Sequence, residues 1–280
     1  MALQQHLALR YIRTKFKLLS AISKKQAAKQ AFELFCTPQH RNKKVPPPIF
    51  EQAETLRFPF LDYAVQGYRW NVGREKKVLI LHGFESSVVN FDHYVKPLLK
   101  KDYEVLAFDA PAHGRSTGKT FNALLYKEFI ETIYKTYGPI QSFLAHSLGG
   151  LALSLALETI KHDASCKVAL IAPATETTSA VNIFFNFLEL DPAIRPEFDQ
   201  IILSKSGHPT EWFSVTRAAA HIKASVLWVH DKNDDMTPLS DIRKVMDAHY
   251  PNFQFLITEG LGHRRIYRES KVVKALVDFL

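Results

Sequence analysis

The chain has 280 residues, of which 46% are hydrophobic, and a formal net charge of +8 at pH 7. That length fits one large α/β domain with an insertion, or two small domains, and the composition agrees with a globular protein that can bury a sizeable core. No run of eighteen apolar residues occurs, which excludes a membrane-spanning helix at the level of sequence.

The positive charge is unevenly placed. Residues 1–45 hold ten Lys/Arg (Arg10, Arg13, Lys15, Lys17, Lys24, Lys25, Lys29, Arg41, Lys43 and Lys44) against the single acid Glu33, so the remaining 235 residues carry a net charge of −1. The basic character therefore belongs to an N-terminal arm and not to the body, and no nucleic-acid partner is expected from it. Cys36 and Cys166 have neither a disulfide framework nor a metal-ligand spacing. They read as free thiols in a reducing compartment, so a cytoplasmic location is expected.

In chain order, apolar residues at helical spacing (Leu3, Leu7, Tyr11; Ile12, Phe16; Leu19, Ile22) predict one helix over residues 3–35. Thr37-Pro38 ends it. Val45-Pro46-Pro47-Pro48 reads as a stiff linker over residues 46–54, making residues 1–45 a basic helical arm and 55–280 the main domain. Residues 56–63 and 65–70 look like an antiparallel pair at a sheet edge. Strands are then expected at 78–81, 104–108, 142–145, 168–171, 226–229 and 254–257, with helices at 91–100, 121–137, 148–160, 239–249 and 266–280. Strands alternating with helices imply an α/β fold with a mostly parallel sheet covered on both faces. The connection between residues 171 and 226 is too long for an ordinary loop and too apolar for disorder, with Phe184, Phe185, Phe187, Trp212 and Phe213 inside it. It is expected to be a helical cap insertion at about 174–223.

The strongest motif is Ala145-His146-Ser147-Leu148-Gly149-Gly150. A sharp strand-to-helix turn has little room for side chains, so it selects small residues around the one it exposes, here Ser147. A serine nucleophile needs a base, an orienting carboxylate and N–H donors for the oxyanion. Each has a candidate just after a strand, where open α/β sheets place their sites. The base is His263, in Thr258-Glu259-Gly260-Leu261-Gly262-His263. The carboxylate is Asp234, in His230-Asp231-Lys232-Asn233-Asp234-Asp235-Met236-Thr237-Pro238, with Asp231 and Asp235 as competitors. The oxyanion donors are the N–H groups of Phe84, in His82-Gly83-Phe84-Glu85, and of Leu148.

Over roughly residues 55–280 these features resemble the α/β-hydrolase superfamily. His82-Gly83 follows one strand and Asp109-Ala110-Pro111-Ala112-His113-Gly114-Arg115-Ser116 the next; the turn at Ser147, Asp234…Pro238 and Gly262-His263 come after. The chain order Ser147, Asp234, His263 is the one that fold uses. Two positions depart from the family pattern: Ala145 and Ala112 stand where glycine is usual. The resemblance implies a serine hydrolase acting on a carboxylic ester or thioester of a small or medium apolar acyl group, through an acyl-enzyme and without cofactor or metal. Peptidase, amidase or acyltransferase work on the same residues is the alternative, and a non-catalytic binding relative is the third reading.

Glu85, His146, Phe184, Phe185 and Trp212 are further candidates for substrate contact. A carboxylate at Glu85 would disfavour anionic substrates, and the aromatic residues offer apolar surface. His82, His113 and His146 also sit where packing or backbone shape commonly requires histidine. The arm has three readings: a helix packed on the body or on a second copy, a peripheral contact with an anionic membrane, or a targeting segment.

Overall fold

The structure is a computed structural model that describes residues 3–280, with side chains from residue 6 onward. In chain order the elements are α1 (Leu3–Ile22), α2 (Lys24–Phe35), β1 (Glu54–Phe60), β2 (Tyr63–Trp70), β3 (Lys77–Leu81), α3 (Asp92–Lys100), β4 (Glu104–Phe108), α4 (Ala123–Tyr137), β5 (Ser142–His146) and α5 (Leu148–Ala156). They continue with β6 (Lys167–Ile171), α6 (Thr177–Leu188), α7 (Arg195–Ser206), α8 (Val215–Ala219), β7 (Ser225–Asp231), α9 (Leu239–Asp247), β8 (Phe253–Thr258), α10 (Gly262–Arg265) and α11 (Ser270–Phe279). The chain forms two compact units.

The first unit joins the chain up to Thr37 with the segment Glu176–Phe213, two stretches far apart in sequence. The single arm helix predicted over 3–35 is two helices. Ser23 takes an extended conformation (φ −156°, ψ 112°) and its side chain caps α2 by accepting the Gln26 N–H at 3.2 Å, so the local cap competes successfully with helix continuation. Ala27, Ala28 and Ala31 are buried along α2 and let it lie close to α7. Phe32 and Phe35 meet Phe198 edge-on at 5.7 and 5.8 Å, and Phe35 meets Phe184 at 5.1 Å. Polar ties flank this core: Arg13 pairs with Glu189 at 2.5 Å, and Lys24 pairs with Asp191.

The second unit, Pro38–Thr175 with Ser214–Leu280, holds an eight-stranded sheet in the order β1-β2-β4-β3-β5-β6-β7-β8. β1 and β2 are antiparallel to their neighbours, and all pairs from β4 to β8 are parallel. Strand residues alternate between faces. Val78, Ile80, Val105, Ala107, Leu144, Ala169, Ile171 and Val229 share one buried cluster with Tyr94, Val95 and Leu98 of α3 and Val272, Leu276 and Val277 of α11. Residues 48–52, inside the expected linker, are a 3-10 turn packed on this unit: Phe50 is buried, 4.8 Å from the Tyr68 ring, and Trp70 Nε1–H donates to the Ile49 carbonyl at 2.8 Å.

The last helix is shorter than the predicted 266–280. A 3-10 turn covers Ile266–Arg268 and Glu269 is extended. The Tyr267 carbonyl is taken instead by Tyr94 O–H and His93 Nε2, both at 2.8 Å, so it is lost to helical pairing.

From β3 the chain moves to β4 on one side and returns to β5 on the other. The carboxyl ends of β3 and β5 therefore flank the topological switch point, where open α/β sheets form crevices.

Candidate active site

β5 is buried along its whole length, and its end fixes Ser147. Ser147 has φ 54° and ψ −122°, a strained turn for a residue with a side chain. The turn is over-determined by its neighbours: Ser147 N–H donates to the Ile171 carbonyl at 3.1 Å, and the Ser147 carbonyl accepts Gly150 N–H at 2.9 Å and Ala174 N–H at 3.0 Å. Gly149 has to be glycine. A Cβ there would stand 2.8 Å from the His82 carbonyl oxygen and 2.9 Å from that of Leu81, both backbone atoms that cannot swing away.

His263 lies in α10 beyond the β8 loop, with Gly260 and Gly262 at positive φ giving that loop its reversal. Its Nε2 is 2.9 Å from Ser147 Oγ, and its Nδ1 is 2.8 Å from Asp234 Oδ2. The carboxylate fixes the tautomer: Nδ1–H donates to Asp234, leaving the Nε2 lone pair to accept from Ser147 O–H. All three residues are buried.

The three acids after β7 separate by geometry. Asp234 Oδ1 accepts Met236 N–H at 2.9 Å and Thr237 N–H at 2.8 Å, which aims Oδ2 at the imidazole. Asp231 is occupied elsewhere. It accepts Asn233 N–H (3.0 Å), Thr258 O–H (2.7 Å) and Leu261 N–H (3.0 Å), tying the end of β7 to the loop that carries His263. Asp235 is exposed. Burial alone would raise the Asp234 carboxyl, but its hydrogen bond to His263, the charge of that ring and the Thr237 hydrogen bonds outweigh it and hold it below the ordinary range.

Sequence reading did not single out Thr237. Its O–H donates to Asp234 Oδ2 at 2.8 Å and lies 3.2 Å from His263 Nδ1. Its carbonyl is held by His230 Nε2 at 2.7 Å. Thr237→Val keeps the side-chain shape and removes one charge-assisted hydrogen bond. If these residues are catalytic, it is expected to lower kcat/KM about tenfold with little change in KM, measured on any substrate that labels or acylates Ser147.

Leu148 opens α5, so its N–H is among those a helix leaves unpaired, and it sits beside Ser147. The β3 loop turns tightly, with Ser86 N–H bonded to the Gly83 carbonyl at 3.3 Å. A Cβ on Gly83 would fall 2.7 Å from Ser147 Cβ, so the absence of a side chain lets the stretch that leads to Phe84 approach the serine. His82 braces this loop by donating Nδ1–H to the Gly83 carbonyl (2.7 Å) and accepting Ala110 N–H at Nε2 (2.9 Å).

Glu85 Oε1 accepts Gln39 N–H at 2.7 Å, and Oε2 lies 3.8 Å from His40 Nδ1, so its carboxylate holds the chain just past Thr37. His146 is buried, and its Nε2–H donates to the His263 carbonyl at 3.1 Å. Its ring lies 4.8 Å from that of His263 and 4.6 Å from that of Tyr267, so it packs behind the His263 imidazole. Phe184, Phe185 and Trp212 belong to the first unit. There Phe185 meets Phe198 edge-on at 5.3 Å, and Trp212 stacks on His208 at 3.9 Å.

Three buried histidines around these loops are neutral in the fold. Burial and the neighbouring His113 push His82 down to about 3. Burial pushes His113 to about 4, with Arg41 adding to the effect. Burial and the neighbouring His263 hold His146 well below its ordinary value. The unfolded chain therefore binds more protons below about pH 6.5, and stability present above that value is lost as pH falls. Asp109 runs the other way: burial raises its carboxyl to about 6, so it contributes less opposition to folding as pH drops. Between about pH 7 and about pH 5 His82 and His113 each cost about 2 kcal/mol and Asp109 returns about 1 kcal/mol, a net loss on the order of 3 kcal/mol, and His146 acts in the same direction. Urea unfolding midpoints at the two pH values measure it, and an unchanged midpoint contradicts it.

Among the described residues there is no group of His, Cys, Asp or Glu arranged to hold a metal ion. A family model described as serine aminopeptidase, S33, matches residues 73–205. No curated protein matches the sequence. Solved structures do. An esterase from Pyrococcus furiosus, Pf2001, is 20% identical and superposes with a TM-score of 0.65 over 88% of this chain and 97% of its own. The mouse α/β hydrolase domain-containing protein 10 is 16% identical, with a TM-score of 0.57 over 81% of this chain and 95% of its own. A thioesterase domain from the curacin biosynthetic pathway is 15% identical, with a TM-score of 0.57 over 81% and 98%. At these identities the likeness is one of fold. With the strand order and the strained serine turn after β5, it shows that the chain has the α/β-hydrolase fold.

Proposed function

We propose that this chain is a serine hydrolase that cleaves a carboxylic ester or thioester with a small or medium apolar acyl group. The observation that carries the reading is the continuous hydrogen-bond chain from Asp234 through His263 to Ser147, at 2.8 and 2.9 Å. Ser147 Oγ attacks the acyl carbonyl carbon while its proton passes to His263 Nε2. The carbonyl π electrons move to oxygen, and the oxyanion is received by the N–H groups of Phe84 and Leu148. The tetrahedral species collapses as the imidazolium returns the proton to the departing alkoxide or thiolate. A water then gives a proton to Nε2 and attacks the acyl-enzyme, releasing the carboxylic acid and restoring Ser147 O–H. Asp234 holds the imidazole tautomer throughout and stabilises the imidazolium.

A second reading, cleavage of an N-terminal aminoacyl amide on the same residues, is favoured by the description of the matching family model. A panel of p-nitrophenyl esters, acyl thioesters and aminoacyl amides separates the two. Ester or thioester turnover at least about a hundredfold above amide turnover is expected, and the reverse order would establish the peptidase reading. Covalent labelling of Ser147 by a fluorophosphonate is expected in either case. A folded protein that resists labelling would be the non-catalytic relative.

A further inference from the structure

Among the described residues, no helix is long and apolar enough to cross a membrane, yet α1 exposes a row of large apolar side chains. Leu7 is 58% exposed, Tyr11 71%, Leu18 63% and Ile22 83%. At 100° per residue these four positions fall within an arc of about 60°, in a stripe about 22 Å long. The packed face of α1 is a different one: Phe16 and Ser20 are buried on the opposite side of the helix. Charged residues border the stripe, Lys15 on one flank and Arg10 and Lys17 on the other. Residues 1–32 contain seven Lys/Arg and no acid.

We propose that this face of α1 docks the protein onto an anionic phospholipid surface. The stripe is chemically suited to the acyl boundary, and the flanking cations lie at the height of the headgroups. Arg10 and Lys17 also wall a groove of about 970 Å³ whose lining includes Thr14, Arg13 and Lys24. Arg13 and Lys24 are engaged there by Glu189 and Asp191, so Arg10 and Lys17 carry the groove's surplus of positive charge toward a headgroup phosphate. Charge favours lipid over a second copy of the chain, because two copies joined along the stripe bring their basic borders together with no acid between them. A nucleic acid would satisfy the charges but leave the apolar row in water.

The experiment is co-sedimentation of the full chain with vesicles of phosphatidylcholine alone or mixed with phosphatidylserine. Wild type is expected to partition at least about tenfold better onto the mixed vesicles, with added salt removing the difference. The combined variant Leu7→Ser, Tyr11→Ser, Leu18→Ser, Ile22→Ser is expected to lose at least about tenfold in partition, and so is Arg10→Gln, Lys15→Gln, Lys17→Gln. Because these side chains are exposed, thermal melting should be close to wild type. Tyr11→Trp gives a readout that needs no disruption, a blue shift of its fluorescence on adding mixed vesicles. The proposal is overturned if wild type does not sediment with mixed vesicles, or if the serine variant sediments equally well. It is also overturned if the stripe instead supports a dimer, seen by sedimentation velocity and abolished by the serine substitutions, or if only RNA is retained. None of these readouts uses the chemistry at Ser147, so the docking and the hydrolase readings stand or fall separately.

Discussion

Ser147→Ala is expected to lower kcat/KM for the preferred ester by a factor on the order of 10⁴ to 10⁶ and to abolish fluorophosphonate labelling. In the proposed mechanism alanine leaves His263 without a nucleophile to activate, while the Phe84 and Leu148 N–H groups would still bind the carbonyl, so a small residual rate over water is expected. The fold should tolerate the change. Ser147 already sits at φ 54°, and alanine at that angle carries a similar strain. The backbone bonds that hold the turn, Ser147 N–H to Ile171 and Gly150 N–H to Ser147, involve no side chain. His263→Ala should fall into the same range, and the double variant should be no slower than either alone, because the two groups act as one unit. Retention by the alanine variant of more than about a hundredth of the wild-type rate would move the nucleophile elsewhere.

Local signals made most of the fold readable. Short continuous apolar runs marked the inner parallel strands because both faces of the sheet are buried there, and Gly149 beside the serine turn and Gly260 and Gly262 before His263 marked turns. Ser147 and His263 followed from those turns. What escaped were features decided by distant partners. Nothing in residues 1–35 names α7 as the helix they pack on, so the arm and the insertion read as separate devices when they share one unit. The break at Ser23 was present as a cap signal, Ser followed three residues later by Gln26, but the apolar spacing ran through it. The split of the last helix depends on His93 and Tyr94, about 175 residues away, capturing the Tyr267 carbonyl. Thr237 carried no signal of its own, because its role exists only where Asp234 Oδ2 and His263 Nδ1 converge.

The choice among Asp231, Asp234 and Asp235 was open in sequence, and the geometry turns it into a pair of contrasting results. In Asp234→Asn, Oδ1 can still accept Met236 and Thr237 N–H, so the loop keeps its shape. The amide then presents N–H groups to His263 Nδ1, which has to become the acceptor and place its proton on Nε2, facing Ser147. A base protonated on the wrong nitrogen, with no carboxylate to steady the imidazolium, is expected to cost about 10⁴ in kcat. KM and the unfolding midpoint should change little. Asp231→Asn should do the opposite. Its Oδ2 accepts both Thr258 O–H and Leu261 N–H, and an amide nitrogen in that place opposes a backbone donor. A loss on the order of 2 kcal/mol of stability is expected, together with a much smaller fall in kcat as the His263 loop loosens. Urea titration and steady-state kinetics on the two variants measure both axes. If Asp231→Asn were the stable, inactive variant and Asp234→Asn the active, destabilised one, the orienting carboxylate would be Asp231, and the 2.8 Å contact between Asp234 and His263 would be structural support instead.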